Sequence, residues 1–94
     1  MHYMVIETFH EGSKDEVYAR YEAQGRMLPD GLEYIDSWLS EDGTRCFQLM
    51  KTHNAELFKL WVEKWGDLVD FEVIPVVQSP TKISNKRTQR WRLR

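Results

Sequence analysis

Cysteine is almost missing from this chain. Its single copy, Cys46, excludes an intrachain disulfide. A domain without a disulfide framework suits a reducing compartment, so the cytoplasm is the expected location. Long apolar runs are missing too. A membrane-spanning helix needs about 20 predominantly apolar residues, and no stretch supplies them. The start, Met1-His2-Tyr3-Met4, lacks the basic region and apolar run of a signal peptide. Histidine is scarce. His2, His10 and His53 stand at no metal-ligand spacing such as i, i+4, so neither a metal nor a cofactor is expected. His10 falls in a turn and His53 at a helix entrance, where surface and capping roles account for them. The final 17 residues lack acids altogether: all 15 Asp and Glu lie within residues 1–77, against seven basic residues. The charge of −2 therefore conceals an acidic body of −8 and a basic tail of +6.

What is present is a folded, aromatic chain. Its 94 residues fit one domain, and a hydrophobic fraction of 41% with 13% aromatics is that of a globular protein. Four tryptophans must be packed in a core, at an interface or around a pocket.

The residue pattern predicts six elements. Tyr3 to Phe9 is rich in β-branched and aromatic residues and reads as a strand. Ser13-Lys14-Asp15-Glu16 fits a capping box, opening a helix that carries Val17, Tyr18 and Tyr21 on one face and stops near Gly25. Pro29-Asp30-Gly31 has turn chemistry. Leu32 to Leu39 and Thr44 to Lys51 read as strands joined by the hairpin signal Glu41-Asp42-Gly43. Asn54 is placed to cap a second helix with Leu57, Phe58, Trp61 and Trp65 on its apolar face, closed by Gly66. Phe71 to Val77 is the last strand. Pro75 cannot donate to a ladder, so this strand belongs at a sheet edge or breaks there.

The order β-α-β-β-α-β is the split βαβ, or ferredoxin-like, α+β arrangement. Right-handed crossovers place both helices on one face of a four-stranded antiparallel sheet and leave the other uncovered. Alternation divides the first strand into Tyr3, Val5, Glu7 and Phe9 against Met4, Ile6 and Thr8. The second divides into Tyr34, Asp36 and Trp38 against Ile35, Ser37 and Leu39, and the third into Cys46, Gln48 and Met50 against Arg45, Phe47 and Leu49. Both faces are apolar or aromatic, so an open face predicts a homodimer with two sheets packed face to face and a cleft between them.

Candidate chemistry is placed on that cleft. A carboxylate in a dry cleft has a raised pKa and can act as general acid or base, which makes Glu7 and Asp36 the catalytic candidates. The plain alternative is that each pairs with an arginine or sits at a wet rim. Tyr3, Trp38, Cys46 and Gln48 are the candidate ligand contacts: Trp38 as a pocket wall, Gln48 to orient a polar atom. A buried cysteine is ordinarily an inert small hydrophobe, and no histidine is placed to activate Cys46. Arg26 follows a helix end, free to ion-pair or to guard the cleft mouth.

The segments Tyr3-Met4-Val5-Ile6, Gly25-Arg26-Met27-Leu28-Pro29, Gly31-Leu32, Ser37-Trp38, Arg45-Cys46-Phe47-Gln48-Leu49-Met50 and Trp65-Gly66-Asp67-Leu68-Val69-Asp70-Phe71-Glu72-Val73 resemble domain-of-unknown-function family 3303, small prokaryotic proteins. The resemblance covers roughly residues 1–79, a domain followed by a basic tail over 80–94. It implies the dimeric α/β-barrel form of the ferredoxin-like fold and brings no activity with it. Related barrels include cofactor-free monooxygenases, haem-degrading enzymes and small-molecule binding proteins, but that likeness is one of fold, and fold does not set function.

The function expected is thus a small dimeric protein holding or transforming a small apolar molecule in the cleft over the open sheet face. A non-catalytic dimerisation module is the alternative. A third reading uses the tail, where Lys86, Arg87, Arg90, Arg92 and Arg94 interleave with Trp91 in a composition able to grip nucleic acid. The acidic body opposes such a partner. A tail lying on the acidic surface of its own or a partner chain explains the split without nucleic acid.

Overall fold

The structure, a computed structural model, describes residues 1–79. The tail and its contacts lie outside the described residues. Six elements follow in the order β1 (His2–Phe9), α1 (Lys14–Gln24), β2 (Leu32–Leu39), β3 (Arg45–Thr52), α2 (Leu57–Trp65) and β4 (Val69–Val76). The strands form one sheet in the order β2-β3-β1-β4, with every neighbouring pair antiparallel. This is the ferredoxin-like α+β fold. β4 is an edge strand, which resolves the Pro75 question: Pro75 stands opposite Tyr3 with no strand on its far side.

The core lies between the sheet and the helices. Val5 and Met50 are fully buried, and Phe58, Trp61 and Trp65 of α2 close over them with Val17 of α1. Tyr3 meets Phe58 edge-on at 5.0 Å, and Trp61 meets Phe71 at 5.2 Å. The helix-covered face is therefore the one carrying Tyr3, Val5, Glu7 and Phe9. The expectation had these residues on the open face. Both faces are apolar, so alternation separates them without saying which one the helices take.

Two local readings are also corrected. Ser13 does not form the capping box; its hydroxyl donates to the Leu68 carbonyl at 2.9 Å and ties the start of α1 to the approach to β4. Asn54 caps a turn preceding α2, its Oδ1 accepting from the Glu56 amide at 3.1 Å. The hairpin between β2 and β3 is held by Asp42, whose carboxylate accepts from Ser40 and Thr44. Those bonds, the one from Ser40 first, pull its pKa down to about 2.

The largest departure lies in β2. Tyr34 pairs with Met50, yet Asp36 pairs with Leu49, so Ile35 is an extra residue in a bulge. Beyond it the strand's two faces are exchanged. Ser37 and Leu39 stand opposite Gln48 and Cys46, beneath the helices, whereas Asp36 and Trp38 stand opposite Leu49 and Phe47 on the open face.

Candidate functional site

A cavity of about 350 Å³ opens between the sheet and the two helices. Its floor is polar. Glu7 of β1 lies opposite Cys46 of β3, and Gln48 is two residues further along β3 on the same face. Ser37 faces the same space because the bulge turns it inward. The walls are apolar: Trp61 and Trp65 of α2, Phe9 of β1, and Val69 and Phe71 of β4. Tyr18, Tyr21 and Leu39 are each more than two-fifths exposed and mark the solvent side.

Glu7 and Gln48 form the centre of the site. Both are at least nine-tenths buried, and the Gln48 amide Nε2 donates to Glu7 Oε2. Burial penalises the carboxylate, and the positive Arg26 offsets only part of this, so the Glu7 pKa is pushed up to about 7. A carboxyl group there is present in both protonation states at neutral pH, the condition that suits proton transfer. Gln48 Oε1 is buried and has no hydrogen-bond partner among the described residues. A buried carbonyl oxygen without a donor costs about 1–3 kcal/mol, so this oxygen is open to a donor from a ligand or a water.

Cys46 is the weak member of the group. Burial, and then the neighbouring Glu7, push its thiol up to about 11, the opposite of what a nucleophile requires. Among the described residues, no group of three His, Cys, Asp or Glu side chains is placed to hold a metal ion.

Of the six residues proposed from the sequence, Glu7, Cys46 and Gln48 come together at the cavity. Tyr3 shares their face but packs on Phe58 and does not line the space. Asp36 and Trp38 stand on the opposite side of the sheet. Asp36 is exposed and accepts from the Ser37 amide at 2.8 Å, while Trp38 is 53% exposed. Glu7 and Asp36 do not share a site, because the bulge turns Asp36 outward.

Arg26 is the functional candidate that spacing left open. Its carbonyl accepts from both indoles, Trp61 Nε1 at 2.9 Å and Trp65 Nε1 at 3.1 Å, which fixes the connector against α2. Its neighbours on either side, Gly25 (φ 69°) and Met27 (φ 59°), both occupy the left-handed region. Met27 is the sole non-glycine residue to do so among the described residues. The guanidinium faces the cavity, 3.6 Å from the Tyr34 ring centroid and 5.2 Å from that of Tyr21.

Fold and site together define a ferredoxin-like domain with a cavity between sheet and helices, polar at the floor and aromatic at the walls. The chain belongs to the family described as Domain of unknown function (DUF3303), whose model matches residues 1–84. Among solved structures it is similar to Rv0793 from Mycobacterium tuberculosis, with a TM-score of 0.50 and 15% identity over 85% of this chain and 99% of that one. At that identity the likeness is one of fold. No curated protein matches the sequence. No helix among the described residues is long and apolar enough to cross a membrane.

Proposed function

We propose that this domain binds a small, largely apolar molecule in the cavity between sheet and helices, and that Glu7 exchanges a proton with it. The observation that carries this reading is the buried Glu7–Gln48 pair at the floor of an aromatic cavity of about 350 Å³. Such a volume suits a small organic ligand, and a few convergent polar groups in an apolar shell are what orient one. The cavity lies on the helix side of the sheet, not over the open face, where the cleft had been expected.

Native mass spectrometry of protein purified from its own host tests this. The expected result is a bound small molecule that is retained by the wild type and lost from Cys46→Phe, which fills the floor. A protein that carries no mass, and in which Cys46→Phe changes nothing, sinks the reading.

The open face supports a homodimer. Met4 pairs with Leu49 and Ile74, and Ile6 and Trp38 both stand opposite Phe47, so the apolar side chains are contiguous. Ile35, Trp38 and Ile74 are more than a third exposed. A patch of this kind on a small domain is characteristic of an interface. Trp38→Asp is expected to weaken the dimer by tenfold to a hundredfold, on the order of 1.4–2.8 kcal/mol, since a buried aromatic anchor gives way to a charge. Sedimentation velocity over a range of concentrations measures this. A wild-type monomer at every concentration would remove the proposal.

A further inference from the structure

We infer that Arg26 is an anion anchor, and that the ligand of this cavity is a small aromatic carboxylate bearing a hydrogen-bond donor. This rests on the cavity being a binding site, as proposed above, and names what fills it.

The chain's ion pairs show which arginine is spoken for. Arg20 holds Asp67 in a two-pronged pair at 2.8 and 2.9 Å, and its charge is spent on the fold. Arg26 has no carboxylate within ion-pair distance among the described residues. Among the described residues its side chain makes one hydrogen bond, a long one from Nη1 to the Tyr21 hydroxyl at 3.3 Å. Stacking between two tyrosine rings orients a guanidinium and leaves its edge donors free. Those donors form the planar fork that matches a carboxylate. The connector is also held in place without any help from the side chain, through the two indole bonds to the Arg26 carbonyl. A fixed backbone, a stacked side chain and an unpaired charge at a cavity are what an anchor requires.

The remaining polar groups narrow the class. Gln48 Oε1 is a buried acceptor with no donor among the described residues, so the ligand brings a hydroxyl or N–H to it. The Glu7 carboxyl is protonated in part of the molecules at neutral pH, so it offsets the Arg26 charge only in part and can take up a proton when an anion arrives. Between floor and mouth the space is bounded by indole and phenyl rings, which favour a flat aromatic body.

The test is a matched pair of probes. 6-Hydroxy-2-naphthoate and its primary amide have nearly the same shape and differ by one charge. Calorimetric titration of the full chain is expected to show the acid binding at least tenfold more tightly than the amide. Arg26→Gln is expected to erase that difference, and Arg26→Lys to restore only part of it, because an ammonium keeps the charge and loses the fork. The acid–amide comparison on the wild type stands even if the variants fold poorly. Equal binding of acid and amide, or a preference that survives in Arg26→Gln, would overturn the anchor and leave the cavity reading intact. Failure of both probes overturns the class named here, and the retained mass in the native spectrum shows separately whether the cavity is a site.

Discussion

Trp61→Ala is expected to lose about 3–5 kcal/mol of folding stability, the cost of truncating a large aromatic in a core. Trp61 is 2% exposed, stands edge-on to Phe71 and leans on Phe58 at 6.4 Å. Its indole also shares the Arg26 carbonyl with Trp65, so the truncation loosens the connector as well as the core. The residue borders an existing cavity, and removing it enlarges that space where neighbouring side chains have least to collapse onto. Domains are stable by only about 5–15 kcal/mol, so the variant should lose a large share of its stability. Denaturant unfolding measures the loss. Trp61→Phe keeps most of the volume and gives up the hydrogen bond, and should cost about 1–2 kcal/mol. A loss below 1 kcal/mol for Trp61→Ala would show that α2 is not seated as described.

The second large effect is a dependence on pH. The Glu7 pKa rises from its ordinary 4.5 to about 7 on folding. Between those values the native state keeps a proton that the unfolded chain has released. The Glu7 contribution to stability is therefore fully present below about pH 4.5, is lost as pH rises toward 7, and changes no further above it. The difference amounts to roughly 3 kcal/mol at pH 8. Glu7→Gln has the same shape and does not titrate. It should match the wild type near pH 4.5 and exceed it by roughly 3 kcal/mol at pH 8, with Gln48 still beside it. Urea unfolding of both proteins across that range, at one fixed protein concentration, measures the gap. Parallel curves would mean that Glu7 is solvated and that the cavity floor is wet.

The elements of this fold were legible because each carries a clear period. Alternation in Tyr3–Phe9 grouped Glu7 with Tyr3, Val5 and Phe9, and in Thr44–Lys51 it grouped Cys46 with Gln48; the pairing of Glu7 with Cys46 joins the two groups. The spacing of Leu57, Phe58, Trp61 and Trp65 marked the buried side of α2. Three things were not legible, for physical reasons. The side of the sheet taken by the helices was hidden because both sides are apolar. The bulge at Ile35 was hidden because Leu32–Leu39 contains no glycine or proline to announce a break, and it carried Asp36 and Trp38 out of the site. The role of Arg26 was hidden because it depends on two indoles 35 and 39 residues away, whose bonds to its carbonyl hold the connector against α2. Ser13 shows the same limit in small: a motif that reads as a local cap was claimed by the Leu68 carbonyl, 55 residues away.

The bulge in β2 also bears on how such a domain can change over generations. Ile35 divides the strand into a first half whose Leu32 and Tyr34 face inward and a second half whose inward residues are Ser37 and Leu39. A single-codon deletion of Ile35 would remove the extra residue and straighten the strand, with Asp36 following Tyr34 in unbroken register. The cavity would keep its serine and leucine, and the outer surface its acid and indole. One short genetic event can thus be absorbed here without changing the lining of the cavity or the composition of either β1 or β3. Lineages that lack a residue at this point should share ligand and self-association with those that carry it, because both faces of the strand are preserved.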